Sequence, residues 1–223
     1  MEVTKKTLGI IHAVNLTIRA MQPFLEKYIP DIEVVHVCDD TIQRDNIRAG
    51  VGVIPKTNYY KFAQYAHNLQ EAGADMILLA CSTFNYAAEL ARPMIDIPIM
   101  QIDRPMMELA VGQGPRVGLL ATLATTVPSS ERLLRIVAAE QKKEVEVTTV
   151  LREEAFRAIQ KGDAATHNAI LLEEIAKLSG QVDSIVMAQL SMSALAPQLS
   201  GTRVPVYDSG TTGFGRIREM LGA

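Results

Sequence analysis

The sequence predicts an α/β protein built as two similar doubly wound lobes on parallel sheets, with its functional site in the cleft between them. Three observations predict it: short apolar runs alternate with segments of helical period, the second half repeats the anchors of the first, and polar residues gather where the runs end. The runs are Thr7 to Val14, Ile32 to Val37, Met76 to Ala80 and Ile97 to Ile102, then Arg116 to Ala121, Val145 to Val150, Ser184 to Ala188 and Val204 to Tyr207. Each is β-branched or Leu-rich and bounded by turn residues, as strands buried on both faces are. Helical period marks Thr57 to Ala72, Ser129 to Gln141, Arg152 to Ile159 and Ala164 to Ser179, and Gly210 to Gly215 starts the last helix. Gly112 to Gly114 reads as a turn before a strand, and Met106, Met107 and Met192 read as core filler.

The repeat is the more specific signal. Gly9 precedes Cys81 by 72 positions and Gly118 precedes Gln189 by 71, while Pro98 follows Cys81 by 17 and Pro205 follows Gln189 by 16. Ligands of open α/β sheets sit beyond the carboxyl ends of strands, so two facing lobes bring equivalent ends to one cleft. Cys81 and Gln189 become counterparts across it. His12 and Asn15 after the first run, and Thr122, Thr125 and Thr126 after its repeat, join them.

Composition narrows the function classes. The chain has 223 residues, 48% hydrophobic and 21% charged, which excludes intrinsic disorder, collagen and coiled coil. A net charge of −3 offers no sequence-independent grip on phosphate, so nucleic acid is not an expected partner. No run approaches the roughly 20 apolar residues that cross a bilayer, and the segment behind Met1 to Lys6 lacks a cleavage site. The expectation is a cytoplasmic protein without a membrane partner. Cys38 and Cys81 are too few for a disulfide framework and read as reduced thiols. Four histidines and two cysteines show no ligand spacing, so no metal is expected, and His67 and His167 read as surface residues. Cys38, followed by Asp39 and Asp40, reads as a packed thiol held protonated by its neighbours.

Three segments can carry chemistry. Ala80 to Asn85 leaves a strand for a helix, which sets the Cys81 thiol near a helix N-terminus and predicts a depressed thiol pKa; Ser82, Thr83 and Asn85 add donors for an anion. The alternative makes Cys81 a small hydrophobe and Ser82 a cap. Thr122, Thr125 and Thr126 can bind a carboxylate through hydroxyl and backbone N–H groups, or serve as turn and cap residues. Gln189 can orient an oxyanion but has no proton that titrates near neutral pH, and Ser191 beside it is a hydrogen-bond donor without an evident activating base.

On the Ala80-Cys81-Ser82-Thr83 strand end, its repeat and the Ala121 to Thr126 turn, the chain resembles the aspartate/glutamate racemase superfamily, with hydantoin racemases, maleate isomerases and arylmalonate decarboxylases. The Gly9 to His12 opening and the Pro205 to Ser209 segment fit the same resemblance. It implies two flavodoxin-like lobes related by a pseudo-twofold, at residues 1–105 plus 206–223 and 106–205. It also implies catalysis without metal or organic cofactor, a small carboxylate or amino-acid-like substrate, and a homodimer. Cys81 falls on the first catalytic cysteine, and Ser82, Thr83, Thr122 and Thr125 on carboxylate-binding positions. Family racemases use two cysteines on opposite faces of the substrate, whereas this chain has Gln189 at the second position. One-face proton transfer, as in isomerisation or decarboxylation, is therefore expected over two-thiol racemisation, and a non-catalytic small-acid-binding module is the alternative.

Overall fold

The computed structural model describes residues 5–223 and contains two four-stranded parallel sheets of identical topology. The first has the order β2-β1-β3-β4, from β1 (Thr7–His12), β2 (Glu33–Cys38), β3 (Met76–Leu79) and β4 (Ile99–Gln101). The second has the order β6-β5-β7-β8, from β5 (Arg116–Ala121), β6 (Glu146–Leu151), β7 (Ser184–Met187) and β8 (Val206–Asp208). All eight predicted runs are strands. The central ones, β3 and β7, are buried along their whole length, which explains why they read as unbroken apolar runs.

The predicted helices appear as α3 (Lys56–Glu71), α6 (Val127–Glu140), α7 (Glu153–Gln160), α8 (Ala164–Leu178) and α9 (Ser209–Leu221). The period analysis passed over α1 (Leu16–Tyr28), α2 (Asp40–Ala49), the short α4 (Tyr86–Ala91) and α5 (Arg104–Gln113). In α1 the pattern is broken by Pro23, and only Met21 and Leu25 are buried. In α5 the helix runs on through the expected turn at Gly112, where a side chain would meet only open space.

Each sheet is covered on both faces. One face of the first sheet packs Ile11, Ile77 and Leu79 against Phe62 and Phe84; the other packs Leu8, Ile10 and Leu78 against Met21 and Phe214. In the second, Leu119 and Val186 meet Leu134, while Leu120 and Ile185 meet Leu171. The repeated glycine has a physical reason in both lobes. A Cβ at Gly9 would stand 2.9 Å from Leu69 of α3, so this glycine lets the crossover helix close onto the strand; one at Gly118 would stand 3.3 Å from Ile185 of the neighbouring strand and only in ordinary contact, 3.5 Å, with Leu178 of α8.

Strand β8 belongs to the second sheet, so the expected crossing back at residue 206 begins instead at Ser209. From there α9 packs Phe214 on Phe24 of α1, with ring centroids 5.7 Å apart. Two further expectations are corrected. His167 is buried, its Nδ1 meeting Asn168 at 2.9 Å, and Cys38 is exposed at the end of β2 rather than packed. Met106, Met107 and Met192 are core residues as expected.

Candidate active site

The two strand ends that the repeat made counterparts are equivalent in backbone. Gly9 pairs with Ile77 and Gly118 with Ile185, and Cys81 and Gln189 each stand four residues past those partners. Cys81 has φ −150° and ψ 107°, Gln189 has φ −150° and ψ 137°, and each leads into a 3₁₀ segment, Ser82–Phe84 and Leu190–Gln198.

On the first side the expected depression of the Cys81 thiol is overturned. Burial pushes it up to about 12; the backbone N–H groups of Thr83 and Phe84 pull it down, and the Asp103 carboxylate raises it further. The reason is local: the chain after Cys81 makes a single 3₁₀ turn and the six-residue helix α4, so little dipole offsets the loss of water. The side chain keeps some surface, but it packs against the apolar cluster that includes Ile77, Leu79 and Phe84.

Asp103, which the sequence analysis missed, is fully buried at the end of the loop after β4. Its Oδ2 accepts from Asn85 Nδ2 at 2.9 Å. Oδ1 has no hydrogen-bond partner, and neither do Asn85 Oδ1 and Ser209 Oγ. Burial lifts its carboxyl to about 6, against the pull of Asn85 and, at longer range, of the Ser82 and Ser209 hydroxyls. Asn85 therefore serves this carboxylate rather than an open anion site. A looser form of the rule that selected Cys81, a polar residue just past any apolar run, also points to Asp103, which follows the edge strand β4.

On the second side Gln189 and Thr122 hold each other. Thr122 donates from its backbone N–H at 2.6 Å and from Oγ1 at 2.8 Å, both to Gln189 Oε1. The Gln189 amide nitrogen makes no hydrogen bond among the described residues. Ser191 is half-buried beyond it, and Ser193 accepts from the Gly210 N–H at 3.0 Å.

The lobes touch where Thr83 Oγ1 lies 3.4 Å from Thr126 Oγ1. Beside that contact opens a cleft of about 140 Å³, walled by Thr83, Tyr59 and Tyr86 from one lobe and by Thr125, Ser129 and Arg132 from the other. Cys81, Thr122 and Gln189 do not line it. Arg132, also missed, lies one helical turn beyond Ser129 on α6.

His12 and Asn15 do not line the cleft. The Thr17 hydroxyl donates to Val14 O at 2.8 Å, so His12 Nδ1–H donates to Thr17 Oγ1 at 2.7 Å, which leaves Nε2 to accept from His36 Nδ1 at 2.9 Å. Burial, with His36 adding to it, lowers the His12 pKa to about 4. His12 follows Leu8 and Ile10 on the α1 face of the sheet, whereas Cys81 packs on the α3 face. Asn15 is an exposed residue before α1, with no capping bond. Among the described residues no three His, Cys, Asp or Glu side chains cluster as a metal site would, and no helix is long and apolar enough to cross a membrane.

A model of the Asp/Glu/hydantoin racemase family matches residues 45–216. A glutamate racemase of Trichodesmium erythraeum is 37% identical over 65 residues, covering 29% of this chain and 24% of that protein. One of Persephonella marina is 33% identical over 92 residues, covering 40% and 36%. The matched segments thus span only about a quarter to a third of these curated relatives. An aspartate racemase homologue from Pyrococcus horikoshii OT3 superposes with a TM-score of 0.73 at 18% identity, over 98% of this chain and 100% of that one. At that identity the likeness shows the fold.

Proposed function

The chain belongs to the Asp/Glu/hydantoin racemase family, and on that premise we propose that it is a cofactor-independent enzyme acting on a small carboxylate or amino-acid-like substrate, with Cys81 as its single thiol acid/base. The observation that carries the reading is the pair of matched strand ends, one bearing a thiol and the other an amide. Two-face inversion needs a titrating group at each end; here only one end has it, which favours proton transfer on one face, as in isomerisation or decarboxylation.

Burial holds the resting Cys81 thiol protonated, so the acid form waits for the substrate. The carbanion it protonates, next to a carboxylate and spread into an enediolate, arises either when CO₂ leaves a malonate-type acid or when the minor thiolate form of Cys81 takes the α-proton and returns it on the same face. Thr83 and Thr125 offer hydroxyls to that anion, and the first turn of α6 adds the Ser129 N–H and the positive end of its dipole. Thr122 acts through Gln189: by occupying the amide oxygen it leaves the amide N–H groups free to donate. A homodimer is part of this reading, and sedimentation at micromolar concentration tests it.

A second reading is favoured by the same thiol. A cysteine at about 12 is a poor base, and the tied Gln189 supplies no proton, which suits a module that binds a small acid without turning it over. The experiment that separates them follows α-proton exchange and CO₂ release by proton NMR in D₂O, over amino acids, dicarboxylates and malonates, for the unmodified protein and Cys81→Ala. The enzyme reading expects turnover that falls by about 10²- to 10⁴-fold in the variant, the range of general acid–base contributions. Turnover that survives in Cys81→Ala contradicts the thiol's role, and binding without turnover moves the protein to the second reading.

A further inference from the structure

We propose that Arg104 is a positioning residue of the interlobe cleft: through Glu89 and Glu140 it ties the helix that carries Tyr86 to the helix that carries Arg132, and so sets how far the two walls stand apart. The inference rests on the reading above for the part the cleft plays in catalysis, while the tie itself stands on the ion pairs alone.

The chain passes from the first sheet to the second between β4 and α5, whose Met106, Met107, Ala110 and Val111 are buried in the second core. Arg104 is the first residue of α5, directly at that crossing. Its side chain is 17% exposed, the least of any Lys or Arg that forms an ion pair among the described residues, and it alone of them meets three carboxylates. Nη1 lies 3.4 Å from Glu89 Oε1 of α4, Nε lies 3.1 Å from Glu108 Oε1 one turn along α5, and Nη2 meets Glu140 at the end of α6. The lost hydration of so enclosed a guanidinium is offset only where several carboxylates meet it in good geometry, and its planar fork can serve all three at once.

Glu89 is itself fixed to the first sheet. Its Oε1 accepts from Gln101 Nε2 of β4 at 2.7 Å, its other oxygen pairs with Arg92, and Arg92 donates to Gln101 Oε1 at 2.7 Å. Burial would raise its carboxyl, but Gln101, Arg92 and Arg104 hold it below its usual value and therefore charged. A second tie runs beside the first, since Glu108 Oε2 lies 2.9 Å from Arg216 of α9, the helix that returns to the first core.

The tie reaches the cleft because α4 and α6 carry facing walls. Tyr86 stands one helical turn before Glu89, and the central carbon of the Arg132 guanidinium lies 3.3 Å from the centroid of the Tyr86 ring. Arg132 and Glu140 are eight residues apart on α6, roughly 12 Å along its axis, so the stacked and the ionic contacts hold one pair of helices at two separate points. Glu89, Arg104 and Glu140 do not line the cleft, so their effect on a ligand must pass through these helices.

The test reads the separation without a ligand. Nitroxide labels go on Tyr60→Cys of α3 and Arg135→Cys of α6, both exposed and each close to a cleft wall, in a Cys38→Ser background where the protonated Cys81 stays unlabelled at neutral pH. Pulsed electron paramagnetic resonance then gives the distance between them. In Arg104→Met that distance should lengthen by more than about 2 Å and its distribution broaden, the scale of a domain rearrangement. Glu140→Gln, at the half-exposed end of the network, should do the same to a smaller extent, and it carries the test if Arg104→Met does not fold. Arg104→Lys should recover part of the narrow distribution, since it keeps the charge but not the fork. Arg152→Met breaks the pair with Glu174 inside the second lobe and should leave the distance unchanged. For any amino acid, dicarboxylate or malonate that is turned over, KM in Arg104→Met should rise by about 5-fold or more, with kcat changed less. A distance unchanged in both Arg104→Met and Glu140→Gln, or lengthened equally by Arg152→Met, would overturn the inference. A lengthened distance with KM unchanged would keep the tie and sink instead the reading that seats the substrate in this cleft.

Discussion

The two lobes present the same backbone at β3 and β7 and put different chemistry on it. At the end of β3 stands a thiol that burial keeps protonated, with a buried carboxylate close enough to raise it further. At the end of β7 stands an amide whose oxygen is already shared by two donors of Thr122. Duplication supplied two equivalent positions, and only one now offers a proton. The protein's asymmetry thus lies in side chains, not in fold, and it can be broken or sharpened one residue at a time.

The largest change should come from restoring a thiol on the second side. Gln189→Cys gives both strand ends a titratable group, and α-proton exchange in D₂O should acquire inversion alongside retention, read by chiral chromatography of the deuterated product. Exchange that stays on one face would mean that position 189 does not look onto the reacting carbon. Next comes Asp103→Asn, which keeps an acceptor for the Asn85 amide while removing the charge. Its carboxyl titrates near 6 in the folded chain against an ordinary 3.8, so the folded state holds its proton longer and stability is lost as pH rises from about 4 to 6. The variant should remove that loss, a gain of up to about 3 kcal/mol at pH 7 in urea unfolding. It should also speed iodoacetamide alkylation of Cys81 several-fold in a Cys38→Ser background.

A third test concerns His12, away from the matched ends. Its pKa is lowered from 6.5 to about 4, so the unfolded chain takes up a proton that the folded chain refuses, and stability falls as pH drops through that window. Its imidazole proton resonances should show no titration above pH 5. Titration near 6.5 would show that its bonds to Thr17 and His36 do not hold in solution.

Much of the architecture was legible because buried parallel strands write themselves as apolar runs, and because Gly9 and Gly118 recur at matched positions of β1 and β5. The equivalence of Cys81 and Gln189 followed from spacing alone and recurs in the strand register. What spacing could not convey was the balance of terms at each end. The thiol's pKa turned on whether a helix of useful length follows Cys81, and α4 is too short to decide it. Thr122 looked like an anion donor because its partner, 67 positions away, is invisible to local pattern. Asp103 and Arg132 were passed over for a related reason: one depends on burial by α9 and the other on a cleft shared with Tyr86, and both are tertiary facts.

The most direct test of the single-thiol account is the stereochemical course of exchange in the unmodified protein: incubate one enantiomer of an accepted amino acid in D₂O and follow deuterium at Cα together with optical purity. The account predicts deuterium incorporated with configuration retained. Deuterium gained at the rate at which the opposite enantiomer appears would contradict it, because a second acid would then be working from the face that Gln189 occupies.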